Sequence, residues 1–314
     1  MTDPTAQPPV GRFAPSPTGP LHFGSLIAAL GSWMSVRSRG GTWRLRIDDL
    51  DSARNIAGMA DTICRQLEAL GLTWDGPVVY QSERLDAYAH ALERLRADGA
   101  LYPCSCSRRE ISRDAVRGPL GAVYRGTCRE RGPIPGRETA LRLRLAPGIH
   151  TIADRWVGDW TLHHDRIGDV ALRRRNATPA YHLVTTVDDA WLGVTEVVRG
   201  RDLLAASVIQ QQIQRHLALP AVAWAHLPLV LAADGRDKLS KQTGAESIDT
   251  QGEPLDRLLE AWRLLGQSAP PERPPDAAAF LTWARQRWSE RSVPPGPLAR
   301  EAQPCDSNAA APSD

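Results

Sequence analysis

Apolar residues recur along this chain in two rhythms that alternate from its start. Val10 to Ala14 is a short apolar run that meets Pro15-Ser16-Pro17-Thr18-Gly19-Pro20, a stretch that cannot be helix. From Gly24 to Val36 the apolar positions Leu26, Ile27, Leu30 and Trp33 fall at helical spacing, so the order is strand, turn, helix. Thr42 to Ile47 reads as a second strand ending in Asp48-Asp49-Leu50-Asp51, and a second helical pattern runs from Ala57 to Leu70. Ser82 reads as the cap of a third helix with Leu85, Tyr88, Ala89, Leu92 and Leu95 on one face and Gly99 as its stop. Alternation of this kind predicts an α/β protein with a parallel sheet covered by helices.

The pattern breaks after Gly99. Between Leu101 and Leu145 stand ten arginines, four acids and three of the five cysteines, with Gly/Pro punctuation and an alternating strand at Leu141, Leu143 and Leu145. This predicts an inserted, mainly β module with a basic surface. Alternation resumes near Ala180: Val194 to Val198 reads as a strand, Gly200 as a turn, Asp202 as a cap, and Leu203 to Leu217 as a helix. The sheet is therefore expected in two halves, 10–103 and 178–250, around an insertion at 104–177. A short helical region is expected at 251–292, and the Pro-rich stretch 293–314 is expected to be disordered.

Composition narrows the class without naming a chemistry. At 42% apolar and 24% charged the chain is globular, with room for about two domains. No segment has the length and apolarity of a membrane span, and Met1 to Val10 lacks the pattern of a secretory signal, so a reducing cytoplasm and a monomer are expected. A formal charge of +2 does not announce a nucleic-acid binder. Inside the basic count of 38, however, the only lysines are Lys238 and Lys241. Chance and codon bias are one explanation. The other is that these two positions need a compact, flexible ammonium rather than a guanidinium fork.

A second feature favours phosphate chemistry. Thr18-Gly19-Pro20-Leu21-His22-Phe23-Gly24-Ser25 lies where the first strand hands over to a helix, and the helix N-terminus there offers unpaired N–H groups to an anion. His22 can donate to a phosphate oxygen, Gly24 permits close backbone approach, and Lys238 and Lys241 suit a polyphosphate that develops charge as it reacts. Cys104, Cys106 and Cys128 form a third feature, because three thiols within 25 residues point to structural zinc.

Arg12 to Ser25 resembles the first signature of class I aminoacyl-tRNA synthetases in their glutamyl form, and Lys238-Leu239-Ser240-Lys241-Gln242 resembles the lysine-rich second signature. Pro179 to Leu183, Val187-Asp188-Asp189 and Val197 to Gly200 are similar to the middle region of that family. The resemblance spans roughly residues 10 to 250 and implies a Rossmann-type catalytic fold that joins L-glutamate to ATP as glutamyl-adenylate, with Mg²⁺ accompanying the nucleotide. It implies a glutamate site of Arg12, Ala14, Ser16, Asp48, Tyr181 and Arg199, and an ATP site of His22, Gly24, Lys238 and Lys241, with His22 and the two lysines carrying the catalysis. The family usually has Glu where this chain has Asp48, which leaves Asp49 open as the partner of the substrate ammonium. By the same resemblance Tyr124 completes the zinc set of Cys104, Cys106 and Cys128.

Only 73 residues follow Lys241, so a separate anticodon-reading domain is not expected. Short members of the family transfer glutamate to the queuosine base in the anticodon of tRNA(Asp), and the resemblance implies that acceptor. The alternatives are a truncated synthetase charging the 3′ end of tRNA(Glu) and a non-catalytic, zinc-stabilised RNA-binding paralogue.

Overall fold

The computed structural model describes residues 7–113, 115–231, 247–250, 252–296 and 298–299. Strand β1 (Val10–Phe13) lies parallel to β2 (Thr42–Ile47), which lies parallel to β3 (Val79–Tyr80). Between them run α1 (Phe23–Arg37) and α2 (Met59–Ala69), and α3 (Leu85–Ala97) follows β3. These bounds match the expected strands and helices to within one or two residues at most ends. Ser82 is an exception. It sits inside a 3-10 turn, Gln81–Arg84, and α3 begins after Arg84 with no side-chain cap, because the Ser82 hydroxyl and N–H are both taken by the Asp49 carboxylate.

Helix α1 is buried on nearly every side, which suits its almost continuous apolar sequence. It approaches the sheet closely at Gly31, where a Cβ would stand 2.9 Å from the Leu227 side chain. Any larger residue there pushes helix and strand apart.

The insertion opens with β4 (Leu101–Cys104), α4 (Arg108–Arg113), the hairpin of β5 (Arg117–Gly118) and β6 (Gly121–Ala122), and α5 (Thr127–Arg131). Strand β7 (Ala140–Leu143) then pairs antiparallel with β4. Strands β8 (Ile149–Asp154) and β9 (Gly158–His163) form a hairpin, and β10 (Ala171–Arg173) returns to β7.

The second half carries α6 (Tyr181–Trp191), β11 (Glu196–Gly200), α7 (Leu204–His216) and β12 (Ala223–Leu227). Strand β11 begins two residues later than the periodicity placed it. A 3-10 turn, Arg201–Leu203, precedes α7, which has no side-chain cap; Asp202 faces a cavity instead. Strands β11 and β12 are parallel, β12 meets β8 in parallel at Trp224 and Asp154, and β1 abuts the start of β11 through the Thr195 N–H to the Val10 carbonyl at 2.9 Å. The two parallel sheets thus lie edge to edge, with the β8–β9 hairpin of the insertion extending the outer one. Strand β13 (Val230–Leu231) pairs with β14 (Leu298–Ala299), and α8 (Pro254–Leu264) and α9 (Ala277–Arg287) pack Trp262, Phe280 and Trp283 together beside α1. Most of 293–314, where disorder was expected, lies outside the described residues, as do Lys238 and Lys241.

Candidate active site

The turn after β1 bounds a cavity of about 320 Å³ lined by Ala14, Ser16, Thr18, His22, Gly24 and Ser25, and closed on the far side by Gly200, Asp202 and Leu227 to Leu229. It lies at the carboxyl ends of β1, β11 and β12, where a parallel sheet presents its ligand site. His22 occupies the N-cap of α1, and its Nδ1 accepts the Ser25 N–H at 3.3 Å. A ring that accepts at Nδ1 carries its proton on Nε2, the nitrogen able to donate to a phosphate.

Behind this cavity lies a group of buried charges from β1, β2, α6 and β11. Arg12 gives Nε–H to Asp189 at 3.2 Å and Nη1–H to the Val198 carbonyl at 3.2 Å. Arg46, wholly buried, binds Asp189 at 2.6 Å and reaches Asp48 through both Nε and Nη2, at 2.6 and 3.3 Å. The neighbouring Asp188 accepts from Arg84, Tyr88 and Gln81 at 2.7, 2.8 and 3.1 Å. Burial opposes ionisation of Asp189, but Arg12 and Arg46 outweigh it and hold its carboxyl below the usual range. At Asp48 burial wins and the pKa rises despite Arg46. Asp49 turns elsewhere, with both oxygens on Ser82.

Arg199 is different in kind. It is 5% exposed, yet its partners among the described residues are all neutral: His226 Nε2 at 3.1 Å, Ser207 Oγ at 2.8 Å, the Leu203 carbonyl at 3.2 Å and the Tyr181 hydroxyl at 3.5 Å. Its guanidinium lies over the Trp224 ring, 5.0 Å from the centroid. Burial pulls its pKa down. Among the described residues no carboxylate bonds the guanidinium, and Asp189 supports its charge only through space; keeping a buried cation so weakly paired is costly, and a ligand anion offsets that cost.

The family resemblance brought Arg12, Asp48, Tyr181 and Arg199 forward, and the structure gathers them around one group of charges. It did not bring forward Arg46, Asp154 or His226. One signal was available for Asp188 and Asp189: two adjacent acids in an apolar helical pattern must be buried with cations.

In the insertion, the Cys106 and Cys128 sulfurs are 3.5 Å apart, the Tyr124 hydroxyl is 3.6 Å from Cys106, and the three cysteine sulfurs lie within 4.8 Å of one another. Tetrahedral zinc with Zn–S bonds of about 2.3 Å separates its sulfur ligands by about 3.8 Å, so this donor set matches one zinc ion in size and chemistry. Burial opposes ionisation of Cys128, but bonds with Tyr124, the Ser105 backbone and the other thiols bring its pKa down to about 7. Thiolate formation is thereby favoured at one of the three cysteines. Arg142 stacks on the Tyr124 ring at 4.0 Å.

The catalytic-domain model of class I tRNA synthetases for E and Q matches residues 10–274, and the chain belongs to that family, one of aminoacyl-tRNA synthetase-type ligases. Within it, the chain is 47% identical over 289 residues to the glutamyl-Q tRNA(Asp) synthetase of Dechloromonas aromatica, covering 90% of this chain and 95% of that protein. The glutamyl-Q tRNA(Asp) synthetase of Chromobacterium violaceum is 48% identical over 290 residues, 92% of this chain and 96% of the relative. Among solved structures, the glutamate-tRNA synthetase of Elizabethkingia anophelis superposes with a TM-score of 0.81 at 22% identity, over 94% of this chain and 68% of that one. That likeness establishes the class I catalytic fold with its parallel sheet. Among the described residues, no helix is long and apolar enough to cross a membrane.

Proposed function

We propose that this chain activates L-glutamate with ATP to glutamyl-adenylate and transfers the glutamyl group to the queuosine base in the anticodon of tRNA(Asp), acting as a cytoplasmic monomer. The observation that carries the amino-acid half is Arg199, a buried guanidinium whose described partners bear no negative charge. A substrate carboxylate supplies that charge, and Nη1, which gives one N–H to the Tyr181 hydroxyl at 3.5 Å, has its second N–H to offer it. Arg12 and Tyr181 border the same region, and Ala14 and Ser16 line the adjoining cavity. Asp48, which belongs to the buried group through Arg46, faces the ammonium in this reading, whereas Asp49 lies outside that group with both oxygens on Ser82.

ATP occupies the cavity after β1, with its phosphates toward Gly24 and the N-terminus of α1. The substrate α-carboxylate attacks the α-phosphorus and pyrophosphate leaves. His22 donates from Nε2 to a phosphate oxygen, and Lys238 and Lys241 stabilise charge on the leaving group. Mg²⁺ brought with ATP neutralises phosphate charge. Cys104, Cys106, Tyr124 and Cys128 would hold a structural zinc that ties β4 to α5, and the exposed arginines of the insertion suit RNA phosphates.

Two measurements test the reading. Glutamate-dependent ATP–pyrophosphate exchange without tRNA is expected, and its absence excludes the enzyme. Labelled glutamate is then mapped after nuclease digestion of charged tRNA. Label in the anticodon fragment of tRNA(Asp) is expected, whereas label at a 3′ terminus moves the assignment to tRNA(Glu).

A further inference from the structure

The sheet holds a chain of side chains behind Arg199 that crosses three strands. Arg199 on β11 stands opposite His226 on β12, and β12 meets β8 beside Asp154. Arg199 donates Nε–H to His226 Nε2 at 3.1 Å, and the Ser207 hydroxyl lies 3.3 Å from the same nitrogen. His226 Nδ1 is 2.6 Å from Asp154 Oδ2, and both side chains are fully buried. Arginine has only donors, so His226 Nε2 has to be bare and its proton has to sit on Nδ1, facing Asp154. Burial keeps the imidazole neutral by lowering its pKa, against the pull of Asp154, and the nearby Arg199 and Arg12 charges act in the same direction as burial.

Asp154 is itself fixed. Its Oδ1 accepts the backbone N–H groups of Trp156 and Val157 at 3.0 and 2.9 Å and of His226 at 3.3 Å, which leaves Oδ2 for the imidazole. We infer that Asp154 and His226 are positioning residues for substrate binding: Asp154 sets the His226 tautomer, and that tautomer gives Arg199 the acceptor that aims its guanidinium at the substrate carboxylate. Because Asp154 ends a strand of the insertion, the insertion contributes directly to amino-acid recognition. The inference rests on Arg199 being the carboxylate receptor.

Asp154→Asn is the discriminating substitution because it changes one proton position and almost no volume. Asparagine keeps its oxygen on the three backbone N–H groups and turns its NH₂ toward His226 Nδ1. The imidazole proton then moves to Nε2, where it confronts the Arg199 N–H. The expected result in ATP–pyrophosphate exchange is a rise of about tenfold or more in KM for glutamate, with KM for ATP unchanged and kcat altered less. Adding His226→Gln supplies an amide oxygen near the old Nε2 position, so the double variant is expected to bind glutamate better than Asp154→Asn alone. A purely structural role gives additive losses instead.

The ¹⁵N spectrum of the imidazole supplies a readout independent of activity: protonated Nδ1 in the parent protein and protonated Nε2 in Asp154→Asn. Protonated Nε2 in the parent, a glutamate KM within twofold of the parent for Asp154→Asn, or a double variant worse than the single one each overturns the inference. Arg199→Ala separates it from the reading beneath it. If that variant keeps its glutamate KM, Arg199 is not the receptor; if it loses glutamate while Asp154→Asn does not, only the relay fails.

Discussion

Arg46 and Arg199 are both buried and both end strands of the parallel sheets, but their surroundings are opposite. Around Arg46 stand three carboxylates, Asp48 and Asp189 in direct hydrogen bonds and Asp188 at 3.9 Å. Their field raises the Arg46 pKa even against burial. Around Arg199 stand an imidazole, two hydroxyls, a carbonyl and an indole face. The first guanidinium belongs to the fold, which is complete with it in place. The second has no carboxylate bonded to it among the described residues, and in the proposed function the substrate carboxylate completes it. Burial of a charge therefore does not by itself mark a binding site; the sign balance of its neighbours does.

The comparison breaks most severely if Arg46 is removed. Arg46→Met leaves buried Asp48 without its cation and Asp189 with Arg12 alone, and a loss of about 3–5 kcal/mol is expected in chemical denaturation. Arg199→Met removes the cation that no carboxylate holds, so thermal stability is expected to stay level or rise, while kcat/KM for glutamate falls roughly 100- to 1000-fold in exchange assays. Equal losses of stability in the two variants would erase the distinction. Lys241→Ala, which in the proposed function removes a point charge from phosphate rather than a carboxylate partner, is expected to slow adenylate formation by about 100-fold with the glutamate KM little changed.

A pH titration separates the two acids that share Arg46. Burial raises the Asp48 pKa, so as pH falls this carboxylate is lost before ordinary ones and KM for glutamate rises, up to about tenfold per pH unit. A raised carboxyl pKa in the folded state favours folding on protonation, so this limb precedes unfolding and Asp48→Asn abolishes it. Asp189 has the opposite sign: its lowered pKa gives stability that is present above the ordinary aspartate value and is lost as pH falls toward its own. Melting temperatures across the same range are expected to fall later than affinity does.

The smallest effect belongs to the solvated arginines of the insertion. Replacing Arg108, Arg109 and Arg113 with Ala is expected to weaken tRNA binding by about tenfold at moderate salt and to flatten its salt dependence, with glutamate-dependent exchange unchanged.

Local periodicity was enough to place β1, α1, β2 and α2, because each is decided by residues within a few positions of one another. The strand-to-helix turn at His22 was legible for the same reason. The charge pairing was not. Arg12 finds Asp189 across 177 positions and Arg46 finds it across 143, and no local pattern encodes such partners. In the sequence His226 is the one polar side chain between Leu217 and Ala233, but its use depends on Asp154, 72 positions earlier, which no local pattern links to it. Ser82 shows a related limit: a good capping residue near a helix start was claimed by a carboxylate 33 positions away.

The long separation between Arg12 and Asp189 also has a consequence during synthesis. A nascent chain emerges from its N-terminus, and Arg12, Arg46 and Asp48 leave the ribosome well before α6 and β11 do. The first half-sheet must therefore wait with Arg12 unpaired and only Asp48 on Arg46, while the insertion is made. These separations predict that closure of the site comes late in folding, at a rate governed by long-range loop closure rather than by helix formation. Pulse-labelling hydrogen exchange should detect protection at β1 and β2 rising with that of β11, not with that of α1.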